Sequence, residues 1–367
     1  MPRLATRKRF VRGCGLVAAV TAVLATGAFA PVRPLRAEEE PPDPLDKYHD
    51  RIDESIDRGL EYLAGKQNKD GSFECPMHGN TAVTSLCVMA FLAKGYTPET
   101  EPYGELLNRA IDYVVSTQDR NGLLVAPRGK SHGPMYSHCI STLMLSEISG
   151  MVSEERQERV DEALGKALRL ILDAQNRKKH RAHAGGWRYQ PTSNDSDISC
   201  TGWALMALRS ARNNGAPVPK EAIDRAVEYL MILRHEKTGG FQYQPGKGPG
   251  LARTGTGLLC LELCGKHGTP ETIEAGKYCL KEAPRKFGGN HYYYALYYCS
   301  QGMFQLGGEF WTRWAERMYE LVLSTQREDG SWPAEPGSGR RAGQTYATAM
   351  SVLAMSVSYR QLPIYQR

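Results

Sequence analysis

The sequence predicts an all-α protein, an (α/α)6 toroid in which six inner helices are surrounded by six outer ones. One observation is a glycine turn that recurs six times along the chain, which is typical of repeat architectures. The second is that the helical stretches between these turns alternate between amphipathic and apolar. The key glycines of the six turns are Gly71, Gly122, Gly186, Gly240, Gly289 and Gly330.

The turns share one local pattern, which is clearest in "QNKDGSF" (67–73) and "QREDGSW" (326–332). A helix ends, often with glutamine, a glycine turn follows, and an aromatic or apolar residue comes next. The helix before each turn is amphipathic, as in "AIDYVVSTQ" (110–118), so it has a solvent-facing side. These helices are predicted to form the outer ring.

The helix after each turn is apolar nearly all round, as in "TAVTSLCVMAFLAKG" (81–95). Such a helix must be buried, which places these six in an inner ring. Because all inner helices run in one direction, their N-termini open at one end of the ring. Hydroxyl residues such as Ser199 and Thr201 cluster there, and capping of the free N–H groups is their simplest role.

The first residues predict an export signal. A basic stretch (6–13) precedes an apolar one (14–30), and cleavage after Ala37 is expected. If it is not cleaved, the same segment is long enough to be a marginal membrane anchor. The predicted organisation is therefore a signal (1–37), a linker (38–46), the toroid (47–359) and a C-terminal tail (360–367). This predicts a periplasmic or cell-envelope protein, with anchoring through an uncleaved N-terminal segment as the alternative.

Composition narrows the function classes. With 41% hydrophobic and 23% charged residues, the chain resembles a soluble globular protein. The formal charge of +6 is modest and comes largely from the N-terminal segment, so nucleic acid is not an expected partner. Most of the nine cysteines lie in apolar helical stretches, which favours buried core thiols over a disulfide framework.

The repeated Q-x-x-x-G-x-W/F unit resembles the QW repeat of the prenyltransferase and squalene oxidase repeat family. That family includes squalene-hopene and oxidosqualene cyclases and the β subunits of protein prenyltransferases. The resemblance covers about residues 47–359 and implies a terpenoid cyclase-like toroid. It also implies a central cavity for isoprenoid chains, which the enzymes either cyclise or transfer to a thiol.

The resemblance directs attention to the start of one inner helix. Hopene-type cyclases carry Asp-x-Asp-Asp-Thr there, and the middle aspartate protonates the substrate. In "DISCT" (197–201) Asp197 matches the first aspartate, Ser199 the middle one and Cys200 the last. The expected donor is thus absent. Asp195 and Asp197 remain as the catalytic candidates, and the alternative is that they cap the helix.

Two further sites follow from the resemblance. Protein prenyltransferases bind zinc through Asp, Cys and His, which points to Asp197, Cys200 and His291, although the first two are three positions apart rather than two. The pair Cys75 and His78 is another metal candidate. An aromatic set near the inner helices is predicted to line the cavity, with core filling as the alternative. Its members, with a neighbouring histidine, are Trp203, Tyr292, Tyr294, Tyr298, Tyr346 and His138.

Three functions remain open from the sequence. The first is an exported toroid that binds an isoprenoid or another apolar ligand, with or without turnover and with possible contact to a membrane surface. The second is a non-catalytic toroid whose rim binds protein or polysaccharide at the cell surface. The third is a zinc-dependent enzyme similar to prenyltransferases.

Overall fold

The computed structural model describes residues 44–77, 80–126, 133–289, 291–336 and 341–366. The predicted export signal and His78 lie outside these ranges. Within them the chain forms twelve α-helices, short 3-10 turns and no strand longer than an isolated bridge. None of the described helices combines the length and the apolar character that a membrane crossing requires.

Six helices form the outer layer and six the inner layer, in strict alternation along the chain. The outer helices are α1 (His49–Ala64), α3 (Gly104–Ser116), α5 (Glu154–Asn176), α7 (Lys220–Ile232), α9 (Pro270–Glu282) and α11 (Gly308–Thr325). The inner helices are α2 (Thr81–Lys94), α4 (Pro134–Glu147), α6 (Ile198–Asn213), α8 (Leu251–Leu263), α10 (Tyr292–Leu306) and α12 (Gly343–Met355).

Burial and contacts confirm the predicted toroid. Every residue of α2 from Thr81 to Ala93 is buried, whereas α3 buries a single stripe that includes Leu107, Ile111 and Val114. Each inner helix packs against the next, and α12 packs against α2, so the inner ring closes. A helix that touches two inner neighbours and an outer partner has no face left for water, which explains its apolar sequence.

In four of the six turns a glutamine side chain donates a hydrogen bond to the next outer helix. Gln67 donates through Nε2 to the carbonyl of Gly71 within its own turn and, at 2.8 Å, to that of Leu106 in α3. Gln118 and Gln175 repeat this pattern with α5 and α7. Gln326 at the end of α11 donates to the Ser55 carbonyl of α1 at 2.8 Å. The last repeat is thereby joined to the first.

The turn glycines allow the next outer helix to lie close to the turn. Gly71 has φ +90°, and a Cβ placed there would lie 2.2 Å from the Arg109 carbonyl oxygen. In the third and fourth turns the equivalent residues are Gly185 and Gly239, not Gly186 and Gly240 as predicted, because they hold the positive φ beside the next outer helix. Gly289 also has a positive φ but meets nothing within 4 Å, so the fifth turn lacks this contact.

In five of the six turns the residue two positions after the positive-φ glycine is buried, and a side chain of the following inner helix accepts a hydrogen bond from its backbone N–H. Trp187 donates its N–H to Thr201 Oγ1 at 3.1 Å, for example. A buried backbone N–H without a partner would cost about 1 to 3 kcal/mol, so these hydroxyls fix the turns. The equivalent pairs are Phe73 with Thr84, Leu124 with His138, Phe241 with Thr254 and Trp332 with Thr348.

The segment predicted as a C-terminal tail is packed into the ring. Ile364 donates its N–H to Glu147 Oε2 at 3.1 Å, and Gln305 donates to the Tyr365 carbonyl at 3.0 Å. The Tyr365 hydroxyl lies 2.5 Å from that of Tyr297. Glu147 and Gln305 stand near the C-terminal ends of α4 and α10. The segment therefore occupies the ring at the end opposite the inner N-termini.

Candidate functional site

Three tyrosines near the N-termini of inner helices face a common space. Tyr136, Tyr294 and Tyr346 come from the first turns of α4, α10 and α12. Burial raises the pKa of each hydroxyl well above its ordinary value, and the proximity of Tyr294 adds to the raised pKa of both others. All three nevertheless remain only half-buried. This accessible surface lies at the N-terminal end of the inner ring, and we term the space that the three tyrosines border the cup.

Aromatic side chains from two inner helices that are not neighbours in the ring close the cup below. The Trp203 ring stacks on Tyr297 with centroids 5.5 Å apart and meets Tyr298 edge-on at 5.2 Å. Trp203 belongs to α6 and the tyrosines to α10, and α8 lies between these helices in the ring. Trp203 therefore reaches across the centre. With only 1% of Trp203 and none of Tyr298 exposed, these residues form a packed floor.

The turn before α6 forms part of the rim. The Arg188 guanidinium lies over the rings of Tyr189 (4.3 Å) and Tyr243 (5.4 Å), whose hydroxyls hydrogen-bond to each other. Its Nη1 is 3.3 Å from Asp197 Oδ2 and its Nε is 3.5 Å from Asp195 Oδ2. The positive charge of Arg188 is thus shared between two carboxylates. Cation–π contacts with both rings hold the guanidinium in place.

Asp197 caps α6, which was the alternative to a catalytic role. Its Oδ1 accepts the N–H groups of Ser199 (2.8 Å) and Cys200 (2.9 Å), while Oδ2 faces Arg188. The side chain is fully buried. Burial raises its pKa from 3.8 to about 6, against the effect of the two backbone donors and Arg188. Both oxygens are engaged, which leaves Asp197 no free acidic hydroxyl to offer the cup.

Asp195, the other catalytic candidate, lies on the rim rather than in the cup. Besides Arg188, its Oδ2 accepts a hydrogen bond from Gln244 Nε2 at 3.2 Å. Its side chain is 38% exposed, so water surrounds it. A proton donor for an alkene must be held neutral and aimed at the substrate. The surroundings of Asp195 provide neither condition.

The cap assignment of Asp197 gives a testable stability difference. We expect Asp197→Asn to change the free energy of unfolding at pH 7 by less than about 1 kcal/mol, because Asn keeps the Oδ1 acceptor. We expect Asp197→Ala to lower it by about 1 to 2 kcal/mol, because two N–H groups lose their acceptor. Urea denaturation of both variants measures the difference. Equal losses for Asn and Ala would contradict the cap.

The same group also predicts a pH dependence. The folded-state pKa of Asp197 lies above its ordinary value, so the folded protein binds the proton more tightly than the unfolded chain. Its contribution is fully favourable below about pH 4 and is lost as the pH rises through about 6. The stability of the natural protein relative to Asp197→Asn should therefore fall between pH 4 and pH 7. A difference that is constant over this range would refute the raised pKa.

The three predicted zinc ligands are not brought together as a metal site. Asp197 is engaged as described, and burial raises the pKa of the Cys200 thiol well above its ordinary value. His291 is exposed at the start of α10. Across the part of the chain that the structure describes, no three His, Cys, Asp or Glu side chains are arranged to hold a metal ion. These residues do not fit zinc.

Two of the residues predicted to bind a ligand make contacts that support the fold. His138 is fully buried, accepts the Leu124 N–H at Nδ1 and bonds the Ala167 carbonyl through Nε2, and burial lowers its pKa to about 4. It takes the place that threonine has in four other repeats. Tyr292 packs edge-on against Phe287 in the preceding turn, with centroids 5.1 Å apart. Neither residue borders the cup.

The other predicted aromatic residues lie either in the wall of the cup or in its floor. Tyr294 and Tyr346 line the cup, whereas Trp203 and Tyr298 lie beneath it without appreciable accessible surface. The sequence reasoning missed Tyr136, which is the third residue of its inner helix just as Tyr294 is of α10. Aligning the inner helices by their starting residues would have found it.

A surface groove of about 600 Å³ lies elsewhere, along the outer helix α1. Its walls are acidic, and two of its carboxylates, Asp53 and Asp57, pair with Lys94. These carboxylates are well exposed to solvent. A solvated acidic helix face explains this groove, and the cup remains the candidate site.

Comparison with known proteins supports the fold and a family. The family model described as "Prenyltransferase alpha-alpha toroid domain" matches residues 45–283 and 271–365. A squalene-hopene cyclase of Bradyrhizobium diazoefficiens is 26% identical over 218 residues, which is 50% of this chain and 29% of that enzyme. The chain thus matches less than a third of the length of this relative.

Solved structures of two kinds share the architecture. The α-1,6-mannanase GH76A of Salegentibacter sp. HEL1_6, solved as an inactive variant with α-1,6-mannotriose, has a TM-score of 0.63 at 11% identity and covers 84% of this chain and 99% of its own. The type II terpene cyclase MstE of Scytonema, solved as a variant with its product merosterolic acid A, has a TM-score of 0.55 at 14% identity, covering 85% and 98%. At such identities the likeness concerns the fold alone.

Proposed function

Because the chain belongs to the prenyltransferase alpha-alpha toroid family, we propose that it is an exported protein that binds an isoprenoid or another apolar ligand in the cup. One observation carries this proposal. Tyr136, Tyr294 and Tyr346 keep accessible surface although protein surrounds them. When an apolar ligand covers aromatic faces that are accessible inside a ring, the free energy falls by about 25 cal/mol per Å² of apolar surface buried.

The shape of the cup favours a ligand that enters at one end. The floor of Trp203, Tyr297 and Tyr298 lies below, and the segment that contains Tyr365 fills the ring beyond it. The ligand therefore enters between the inner N-termini and stops at the floor. A flexible prenyl chain suits such a pocket because it offers many apolar contacts and requires few directed hydrogen bonds.

The chemistry of the rim favours binding over cyclisation. Ser199 stands where the cyclase resemblance requires the proton donor, and both Asp197 oxygens are engaged by the α6 N-terminus and Arg188. Tyrosine hydroxyls with raised pKa values are too weakly acidic to protonate an alkene. The proposal therefore assigns the protein the role of a carrier or receptor for its ligand.

Titration with geranylgeraniol tests this role. We expect Tyr294→Ala and Tyr346→Ala each to weaken binding about tenfold, because each removes part of an aromatic wall. Tyr62→Ala is the matched control, because Tyr62 is a half-buried tyrosine on the outer helix α1. This variant should bind as the natural protein does. Equal affinity in all four proteins would place the ligand outside the cup.

Native mass spectrometry separates this proposal from the surface-binding alternative. The purified protein should carry a polyprenyl lipid from its host membrane, and added geranylgeraniol should displace it. If the protein is instead empty, ignores geranylgeraniol and retains an α-1,6-linked mannan oligosaccharide, the rim rather than the cup is the binding site. That outcome would replace the proposal with the polysaccharide alternative.

A further inference from the structure

We propose that Cys279 and Cys299 are an oxidisable dithiol that closes into a disulfide and ties the outer helix α9 to the inner helix α10. Their sulfur atoms lie 3.8 Å apart in the reduced structure. Both side chains are fully buried. The sequence favours buried core thiols over a disulfide framework, but these two buried thiols are in direct contact.

The packing around Cys299 directs its sulfur toward Cys279. On the α8 side, a Cβ placed on Gly255 would lie 2.6 Å from Cys299 Sγ, so this helix is already in tight contact. The Leu251 carbonyl oxygen also lies 3.7 Å from the sulfur. A disulfide needs the sulfurs about 2.05 Å apart, so they must approach each other by a little under 2 Å. The proposal requires small rotations of the two side chains and of α9 for that approach.

Accessibility determines when the bond forms. Burial raises the pKa of the Cys299 thiol well above its ordinary value, and Cys279 also raises it. The reactive thiolate is therefore scarce in the folded protein, and no oxidant reaches it directly. Oxidation therefore takes place during folding or when α9 opens locally.

The reaction is a balanced thiol–disulfide exchange. The thiolate of one cysteine attacks a disulfide donor, such as a thiol oxidoreductase or oxidised glutathione, and a mixed disulfide forms as the first donor thiolate leaves. The second cysteine then attacks the protein sulfur of that mixed disulfide, and the second donor thiol leaves. The protein loses two hydrogens, and the donor is reduced to two thiols.

The bond would affect both stability and the cup. The two cysteines are 20 positions apart, so the disulfide closes a loop and restricts the unfolded chain. Cys299 follows Tyr298 of the floor on the same helix that carries Tyr294 of the wall. Oxidation therefore fixes the helix that contributes most aromatic side chains to the candidate site. This inference does not depend on the identity of the ligand.

Refolding with oxidised and reduced glutathione tests the proposal. After free thiols are blocked with N-ethylmaleimide, the protein should carry two fewer blocking groups than the reduced form. Peptide mapping should find Cys279 joined to Cys299. The melting temperature should rise by about 5 °C and return after reduction. Mapping of the natural protein requires no variant, so a folding defect cannot obscure the result.

Variants identify the pair independently. Cys279→Ala should abolish both the loss of two blocking groups and the rise in melting temperature. Cys139→Ala, an equally buried cysteine in α4, should retain both. The proposal is overturned if every thiol of the natural protein remains available for blocking after oxidative refolding. It is also overturned if the mapped disulfide joins other cysteines.

Discussion

Gly330→Ala should destabilise the protein by about 2 to 4 kcal/mol, because the new Cβ would collide with backbone rather than with a mobile side chain. Gly330 has φ +82°, and its Cβ would lie 2.3 Å from the Arg58 carbonyl oxygen. Arg58 belongs to α1, so this contact joins the last turn to the first helix. Urea denaturation at pH 7 measures the loss.

A second glycine isolates the contribution of this close approach. Gly215 has φ +88°, but nothing lies within 4 Å of a Cβ placed there. Gly215→Ala should therefore cost only about 1 kcal/mol, the penalty of a left-handed alanine. The difference between the two variants measures the collision. If both lose the same stability, the contact between the last turn and α1 contributes nothing to ring closure.

Trp203→Ala should lower the free energy of unfolding by about 3 to 5 kcal/mol, because it leaves a large cavity at the centre of the ring. The same change removes the floor of the cup and opens space toward Tyr297 and Tyr365. We therefore expect the variant to favour longer ligands. Relative to farnesol, its affinity for geranylgeraniol should rise, as measured by titration with both alcohols.

Trp187→Ala serves as the matched control for this prediction. Trp187 is equally buried, but it lies in the turn before α6 and donates its Nε1–H to the Ile171 carbonyl at 2.7 Å. Its loss should destabilise the protein to a similar degree and leave the preference between the two alcohols unchanged. An identical length preference in both variants would mean that Trp203 does not limit the pocket.

The sequence predicts the toroid because the information is local. Alternation of buried and amphipathic helices, with a Gln–Gly turn between them, requires no knowledge of distant contacts. The sequence does not determine which of two adjacent turn glycines adopts the positive φ. Gly185 and Gly186 are adjacent, and only the position of the next outer helix determines which adopts the positive φ. The C-terminal segment gave no signal, because its binding site exists only in the folded ring.

The candidate site was predictable only in part, because it depends on contacts across the ring. Tyr294 and Tyr346 were predicted and line the cup, but the sequence could not tell walls from floor, since Trp203 meets α10 across the centre. The role of His138 could not be recognised from the repeat pattern, because four other repeats have threonine at the equivalent position. Tyr292 was predicted with these two tyrosines, and as the first residue of α10 it packs against Phe287 of the preceding turn.

Photolabelling tests the central claim most directly, namely that the cup holds an apolar ligand. A geranylgeraniol analogue with a diazirine on its prenyl chain would be bound to the natural protein, irradiated and mapped by peptide sequencing. We predict labels within α4, α10 and α12, close to Tyr136, Tyr294 and Tyr346, that unlabelled geranylgeraniol suppresses. Labels confined to the outer helices, or labels that the competitor does not suppress, would contradict the account.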